Sequence, residues 1–164
     1  MNSKMGYRSK ILTLEEAVER RQKLVGSKLV FTNGCFDLLH PGHLRYLAEA
    51  RSLGDFLLIG LNSDRSIQAL KGPLRPICPE TVRAEMLVGL AAVDAVVVFD
   101  EDTPLEMITA LKPDILVKGG DWPIEEIVGG QFVRENGGEV KSLLLADGFS
   151  TTSLIERIIK AHLN

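Results

Sequence analysis

Apolar positions fall into short runs of strand length, separated by longer stretches in which they recur every three or four residues. The runs at 28–32, 55–61, 95–99, 114–118 and 139–144 are rich in Val, Ile, Leu and Phe. In most of them successive positions are apolar, the pattern of strands buried on both faces. Between the runs the helical period dominates. Thr13 followed by Glu16 reads as a capping box, and Leu14, Ala17, Val18, Arg21 and Leu24 carry a helix on to residue 25. Further helices are expected over 41–53, with Pro41 at the first position, and over 63–70, 80–93, 103–111, 123–136 and 150–162. Gly72, Pro73, Pro76 and Pro79 make 71–79 a loop. Asn33-Gly34 turns the chain into a helix pattern rather than a hairpin, and Gly137-Gly138 stops one.

Strands alternating with helices predict an α/β domain: a Rossmann-like, doubly wound, five-stranded parallel sheet with helices on both faces. The chain, 1–164, reads as one domain, with 1–10 expected to be flexible. Ligands of such sheets bind outside the carboxyl ends of the strands. That rule directs attention to residues 32–43, 62–64, 118–122 and 145–152.

Composition narrows the partners. The 164 residues include 19 basic and 22 acidic side chains, a net charge of −3. There is no basic excess of the kind a nucleic-acid binder shows, so no nucleic-acid partner is expected. No apolar stretch approaches the ~20 residues of a membrane helix. The first ten residues lack the apolar segment of a signal peptide. The expected location is therefore the cytoplasm, without a membrane partner, and with room for a homodimer. Cys35 and Cys78 do not have metal-site spacing.

The densest chemistry lies in Thr32-Asn33-Gly34-Cys35-Phe36-Asp37-Leu38-Leu39-His40-Pro41-Gly42-His43. Gly34 permits a sharp turn after the strand, and Gly42 removes a side chain beside a phosphate. His40 and His43, at i and i+3, share one side of a helix start, where free N–H groups and the helix dipole attract anions. Two histidines alone would equally suit a cap and a core position; the whole run after a strand favours an anion site. Ser150-Thr151-Thr152 opens the last helix, where hydroxyls ordinarily cap. Lys71 and Arg75 flank a proline-stiffened loop.

His40-Pro41-Gly42-His43, preceded by Gly34-Cys35-Phe36-Asp37, resembles the HxGH signature of the cytidylyltransferase-like nucleotidyltransferases. The resemblance runs from about residue 12 to residue 159. It implies a nucleoside triphosphate and a phosphorylated acceptor as partners, with Mg²⁺ accompanying ATP. His40, His43 and Lys71 would carry catalysis. Asn33, Gly34, Cys35, Phe36, Gly42 and Arg83 would join the histidines around the nucleotide. So would Lys118, Gly120, Asp121 and Trp122 after the fourth run, and Ser150, Thr151 and Thr152. Asp37, Asn62, Asp64, Lys71 and Arg75 would face the acceptor, with Asp37 on either the sugar or the waters of the metal. No residue is assigned as a metal ligand.

Asp100-Glu101-Asp102-Thr103-Pro104, residues 117–122 and Gly137-Gly138-Glu139-Val140 are similar to one branch of the family. That branch transfers AMP from ATP to D-glycero-β-D-manno-heptose 1-phosphate, giving ADP-heptose and pyrophosphate for lipopolysaccharide assembly. Many of its members carry a sugar kinase domain ahead of this one. The 164 residues leave no room for it, so the kinase step is expected from a separate protein. Trp122 and Phe149 depart from the branch at positions near the nucleotide. Trp122 points toward a rival reading, a cytidylyltransferase acting on glycerol 3-phosphate. A third reading, a silent nucleotide-binding module, is disfavoured by the joint presence of His40, His43, Lys71 and residues 150–152.

Overall fold

All strand pairs in the structure, a computed structural model, are parallel. The described residues are 6–144 and 148–163; Leu145, Ala146 and Asp147 of the 145–152 segment lie outside them, as do 1–5 and 164. The strands are β1 (Ile11–Leu12), β2 (Leu29–Gly34), β3 (Phe56–Asn62), β4 (Ala95–Phe99), β5 (Ile115–Gly119) and β6 (Glu139–Leu143). They form one sheet in the order β1-β4-β3-β2-β5-β6. The helices are α1 (Leu14–Gln22), α2 (Pro41–Ser52), α3 (Asp64–Lys71), α4 (Glu80–Val88), α5 (Leu105–Leu111), α6 (Gly130–Glu135) and α7 (Thr151–His162).

The sheet therefore has six strands where the pattern predicts five. β1 is two residues long, too short for any period to register, and it takes the edge by pairing Ile11 with Val96 and Leu12 with Val97. Residues 6–10, expected to be flexible, form a 3₁₀ turn fastened to the body. Tyr7 and Arg8 both donate to Glu85, at 2.8 and 2.7 Å, and Lys10 Nζ donates to the carbonyl of Val93 at 2.8 Å.

Two apolar layers hold the sheet. Leu29, Phe31, Leu58 and Val97 pack with Ala17 of α1, Ile108 and Leu111 of α5 and Val133 of α6. Val30, Leu57, Ile59 and Val96 pack with Leu47 and Ala50 of α2 and Leu87 and Val88 of α4. The alternation along each strand is the period of two that places successive side chains on opposite faces. Each buried Leu, Ile or Val stabilises the fold by roughly 1.5–3 kcal/mol, so these layers fix the sheet edge from which the functional loops grow.

Some expected helices are shorter or broken. Residues 80–93 give α4 only as far as Val88, with Val93 buried beyond it in a turn. Residues 123–136 split into a 3₁₀ turn, Ile124–Glu126, and α6. Gly129 makes the break, with φ 81° and no room for a side chain: a Cβ there would lie 2.6 Å from Ile108 Cδ1.

Candidate active site

The chain runs outward through β2, β3 and β4, then crosses back to place β5 on the other side of β2. A crevice opens at such a reversal, outside the carboxyl ends of the strands. Here it is a cleft of about 610 Å³, floored by Asn33, Gly34 and Cys35 from β2 and its end and by Lys118 and Gly119 from β5.

One wall starts from the β2–α2 loop. Phe36 and Leu38 adopt left-handed backbone conformations, φ 45° and 54°, which cost energy for residues with side chains. They bring the Phe36 ring over Gly34 and against His43, 5.4 Å between ring centres. Pro41 opens α2, and His40 stands at its N-cap with no side-chain capping bond. Instead His40 stacks on His43, 3.8 Å between centres, and on Phe149 at 6.2 Å. Gly42 makes that stack possible, because a Cβ there would sit 3.0 Å from Cε1 and Nδ1 of His40.

The Nδ1 atoms of both histidines are buried without a hydrogen-bond partner among the described residues. Burial, then the proximity of His40 and Lys71, pushes His43 down to about 4; burial also lowers His40. Near neutral pH both rings are therefore uncharged, each with one donor and one acceptor nitrogen. His43 lines the cleft, and His40 stands behind it.

Cationic groups complete this wall. Lys71 is the last residue of α3 rather than part of the loop, and it lines the cleft. Arg75 also lines it, donating from Nε to Asp37 at 2.8 Å while its Nη2 is buried without a partner. From the far end of the chain, Thr151 at the start of α7 lines the cleft and donates its hydroxyl proton to the carbonyl of Asp37 at 2.6 Å. The first backbone N–H groups of a helix have no intrahelical acceptor, so α7 presents donors here as well. Ser150 is spent on its own helix, capping Ser153 N at 3.0 Å, and Thr152 is exposed outside the cleft lining.

Four residues assigned to ligands from the sequence have partners within the protein. The Asp37 side chain has no exposure, and its carboxylate accepts from Arg75, Ile77 N and Cys78 N at 2.8–3.0 Å. Burial pushes that carboxyl up, but the two backbone donors and Arg75 outweigh it and hold it below the usual range. Asp37 is thus a clamp on residues 75–78 rather than a sugar or metal contact. Arg83, only 1% exposed, donates to the carbonyls of Cys78, Cys35 and Asn62 and to the Asp64 carboxylate, all within 2.7–2.9 Å. Its guanidinium ties three segments together, at Cys35, at Asn62 and Asp64, and at Cys78, and it lies off the cleft lining. Asp64 is correspondingly that arginine's partner, and Asn62, which lines the cleft, donates its side-chain amide to Ser66.

On the β5 side, burial lowers the Lys118 ammonium, which sits 5.9 Å from the centre of the Trp122 ring and 3.5 Å from Asn33 Oδ1. Trp122 is half exposed and lines the cleft, with Nε1 donating to the carbonyl of Gly119 at 3.1 Å. Gly120 and Asp121 lie off the lining. Asp102, Thr103 and Pro104 after β4, and Glu126, Ile127 and Val128 after β5, line the cleft without having been assigned to it from the sequence. The strand-end rule that selected 118–122 also covers 100–104, so that signal was present. Among the described residues no three of His, Cys, Asp and Glu stand together as a metal site, and no helix is long and apolar enough to cross a membrane.

The family model described as Cytidylyltransferase-like matches residues 31–157. The chain belongs to the cytidylyltransferase-like family. It is a nucleotidyltransferase. This cytidylyltransferase-like chain is 56% identical over 161 residues to the bifunctional protein HldE of Syntrophotalea carbinolica, covering 98% of this chain and 32% of that protein. It spans about a third of the length of the curated relatives it matches. Among solved structures it resembles a lipopolysaccharide core biosynthesis protein from Thermoplasma volcanium, 29% identical, TM-score 0.59, covering 74% of this chain and 98% of that one. Pantoate-β-alanine ligase from Francisella tularensis, 13% identical, matches with a TM-score of 0.57 over 93% of this chain and 78% of that one, a likeness of fold alone.

Proposed function

We propose that this chain transfers AMP from ATP to D-glycero-β-D-manno-heptose 1-phosphate, releasing pyrophosphate and forming ADP-heptose. The observation that carries it is the convergence, on one cleft, of basic and hydrogen-bonding groups suited to phosphates. These are the unpartnered Nδ1 of His43, Lys71, the unpartnered Nη2 of Arg75 and the first turn of α7. The family supports transfer of a nucleotidyl group to a phosphate. The HldE and lipopolysaccharide-core relatives support the heptose acceptor.

In this reading an oxygen of the acceptor phosphate attacks the α-phosphorus in line. The bond from that phosphorus to the bridging oxygen breaks, and pyrophosphate leaves with the electron pair. The attacking oxygen is already ionised at neutral pH, so no general base is needed. The protein positions the groups and stabilises developing charge. His43, held neutral, donates its remaining ring N–H to the phosphate and keeps the proton. Lys71 and Arg75 bring the two anions together. Mg²⁺ would come with the nucleotide substrate rather than sit on a protein carboxylate cluster, and would offset charge on the phosphates.

Pyrophosphate release from the purified protein tests the reading. ATP with heptose 1-phosphate is expected to give turnover. CTP with glycerol 3-phosphate, the pairing toward which Trp122 points, is expected to give none, and the reverse result would reject the proposal.

A further inference from the structure

Three successive carboxylates follow β4, and the fold uses only two of them. Asp100 accepts from Ser63 and Arg65, and Glu101 accepts from the backbone N–H of Asp100. Asp102 has no hydrogen bond or ion pair among the described residues, and with Thr103 it lines the cleft. These two residues lead into α5, which packs on the face of the sheet opposite α2. The cleft lining thus combines His43, Lys71 and Arg75 with the uncompensated Asp102 carboxylate after β4, and with a second one, Glu126, after β5.

A free carboxylate repels phosphate, so in a cleft for polyanions it disfavours binding unless it recognises something else. Its two oxygens accept hydroxyl protons, and charge-assisted bonds of this kind are the stronger ones. We propose that Asp102 and Thr103 form the subsite for the hydroxyl groups of a phosphorylated polyol acceptor, whose phosphate faces Lys71 and Arg75. This rests on the nucleotidyl-transfer reading above. Asp102 accepts one or two hydroxyls, Thr103 adds a donor and an acceptor, and the carboxylate prevents the acceptor from entering phosphate-first at that end. Hydroxyls also occur on the nucleotide ribose, but Lys118 and Trp122 follow β5, across β2 and β3 from β4 in the sheet. The sheet order therefore separates the nucleotide's end of the cleft from the acceptor's.

Steady-state kinetics of the purified chain test this, with ATP or CTP against heptose 1-phosphate, glycerol 3-phosphate and ethyl phosphate. The polyol phosphates are expected to be used and ethyl phosphate not. Asp102→Asn, with an unchanged thermal transition, is expected to raise KM for the accepted polyol phosphate about tenfold, the scale of a charged hydrogen bond. KM for the nucleotide should move less than about twofold, within the scatter of a lost exposed contact. Thr103→Val should give a smaller rise, about threefold. If KM for the nucleotide rose while that for the acceptor held, Asp102 would serve the ribose and the proposal would fall. It would fall equally if neither variant moved either KM, or if ethyl phosphate were preferred. Use of CTP with glycerol 3-phosphate would overturn the heptose reading alone, and Asp102→Asn should then raise KM for glycerol 3-phosphate. Absence of turnover with every acceptor would overturn both.

Discussion

Burial disfavours a cation on both His40 and His43, and the nearness of His40, stacked 3.8 Å away, and of Lys71 adds to it on His43, so a phosphate meets them as neutral hydrogen-bonding rings. His43→Ala is expected to lower kcat by roughly 10²–10³, the usual size for one transition-state donor, with a smaller effect on ATP affinity. Wild-type turnover at saturation would mean that the ring only packs. NMR titration of the ligand-free protein should find His43 changing charge near pH 4. Unfolding returns that ring to its ordinary value of about 6.5, so between the two values the unfolded chain binds the extra proton. Stability from this group is complete above pH 6.5 and declines as pH falls toward 4. His43→Ala should flatten that slope in urea midpoints measured at pH 7 and pH 5. Arg83 shows what single residues hide in a sequence. An arginine on a short amphipathic helix reads as solvated or phosphate-bound, because nothing local encodes the carbonyls of Cys35, Asn62 and Cys78 that surround it. Arg83→Ala strands those acceptors and should cost about 3–5 kcal/mol in urea unfolding. An exposed arginine would change stability by only about 0.5 kcal/mol. Asp37 was illegible for the same reason: its partners Ile77 and Cys78 are backbone donors brought from a distant loop.

At the level of elements, apolar runs locate five of the six strands to within two residues: β2 to β5 are mostly buried, which leaves a nearly uninterrupted pattern, and the partly exposed edge strand β6 still carries Val140 and Leu143. β1 left none, being two residues paired on one side only. Residues 123–136 read as one helix because their apolar positions keep step. The interruption comes from Gly129 passing over Ile108, a contact that no local period records. The start of α2 was legible in more detail, since Pro41, Gly42 and two histidines state both the helix boundary and the anion-facing end. Element ends also set which substrate each variant should disturb. Lys71 terminates α3 beside His43, so Lys71→Ala should weaken acceptor binding and slow the chemistry together. Thr151→Ala removes one neutral hydrogen bond between α7 and the carbonyl of Asp37, worth about 0.5–1.5 kcal/mol, and should chiefly raise KM for ATP by roughly three- to tenfold. Varying each substrate in turn separates the two effects, and a swap of the affected substrates would reverse the placement.

Across the whole molecule the cleft draws on chain positions more than a hundred residues apart, Asn33 and Thr151 among them, and only the reversal of strand order at β2 and β5 brings them together. α7 is the loosest member of that assembly. None of its described residues is buried, Ile158 and Ile159 are about half exposed, and its start is held by the Thr151 bond and by Phe149 stacked on His40. A helix so attached opens locally at small free-energy cost while the sheet stays shut. Its amides should exchange with deuterated solvent within seconds to minutes in the free protein and slow down when a nucleotide occupies its N-terminal turn. The order in which substrates arrive then follows. Because α7 grips Asp37, and Asp37 in turn grips Arg75, a nucleotide that steadies the helix also steadies the arginine awaiting the acceptor. ATP should enter first and the sugar phosphate second, with pyrophosphate departing before the nucleotide sugar; product-inhibition patterns would reveal a random sequence if the helix were firm from the start.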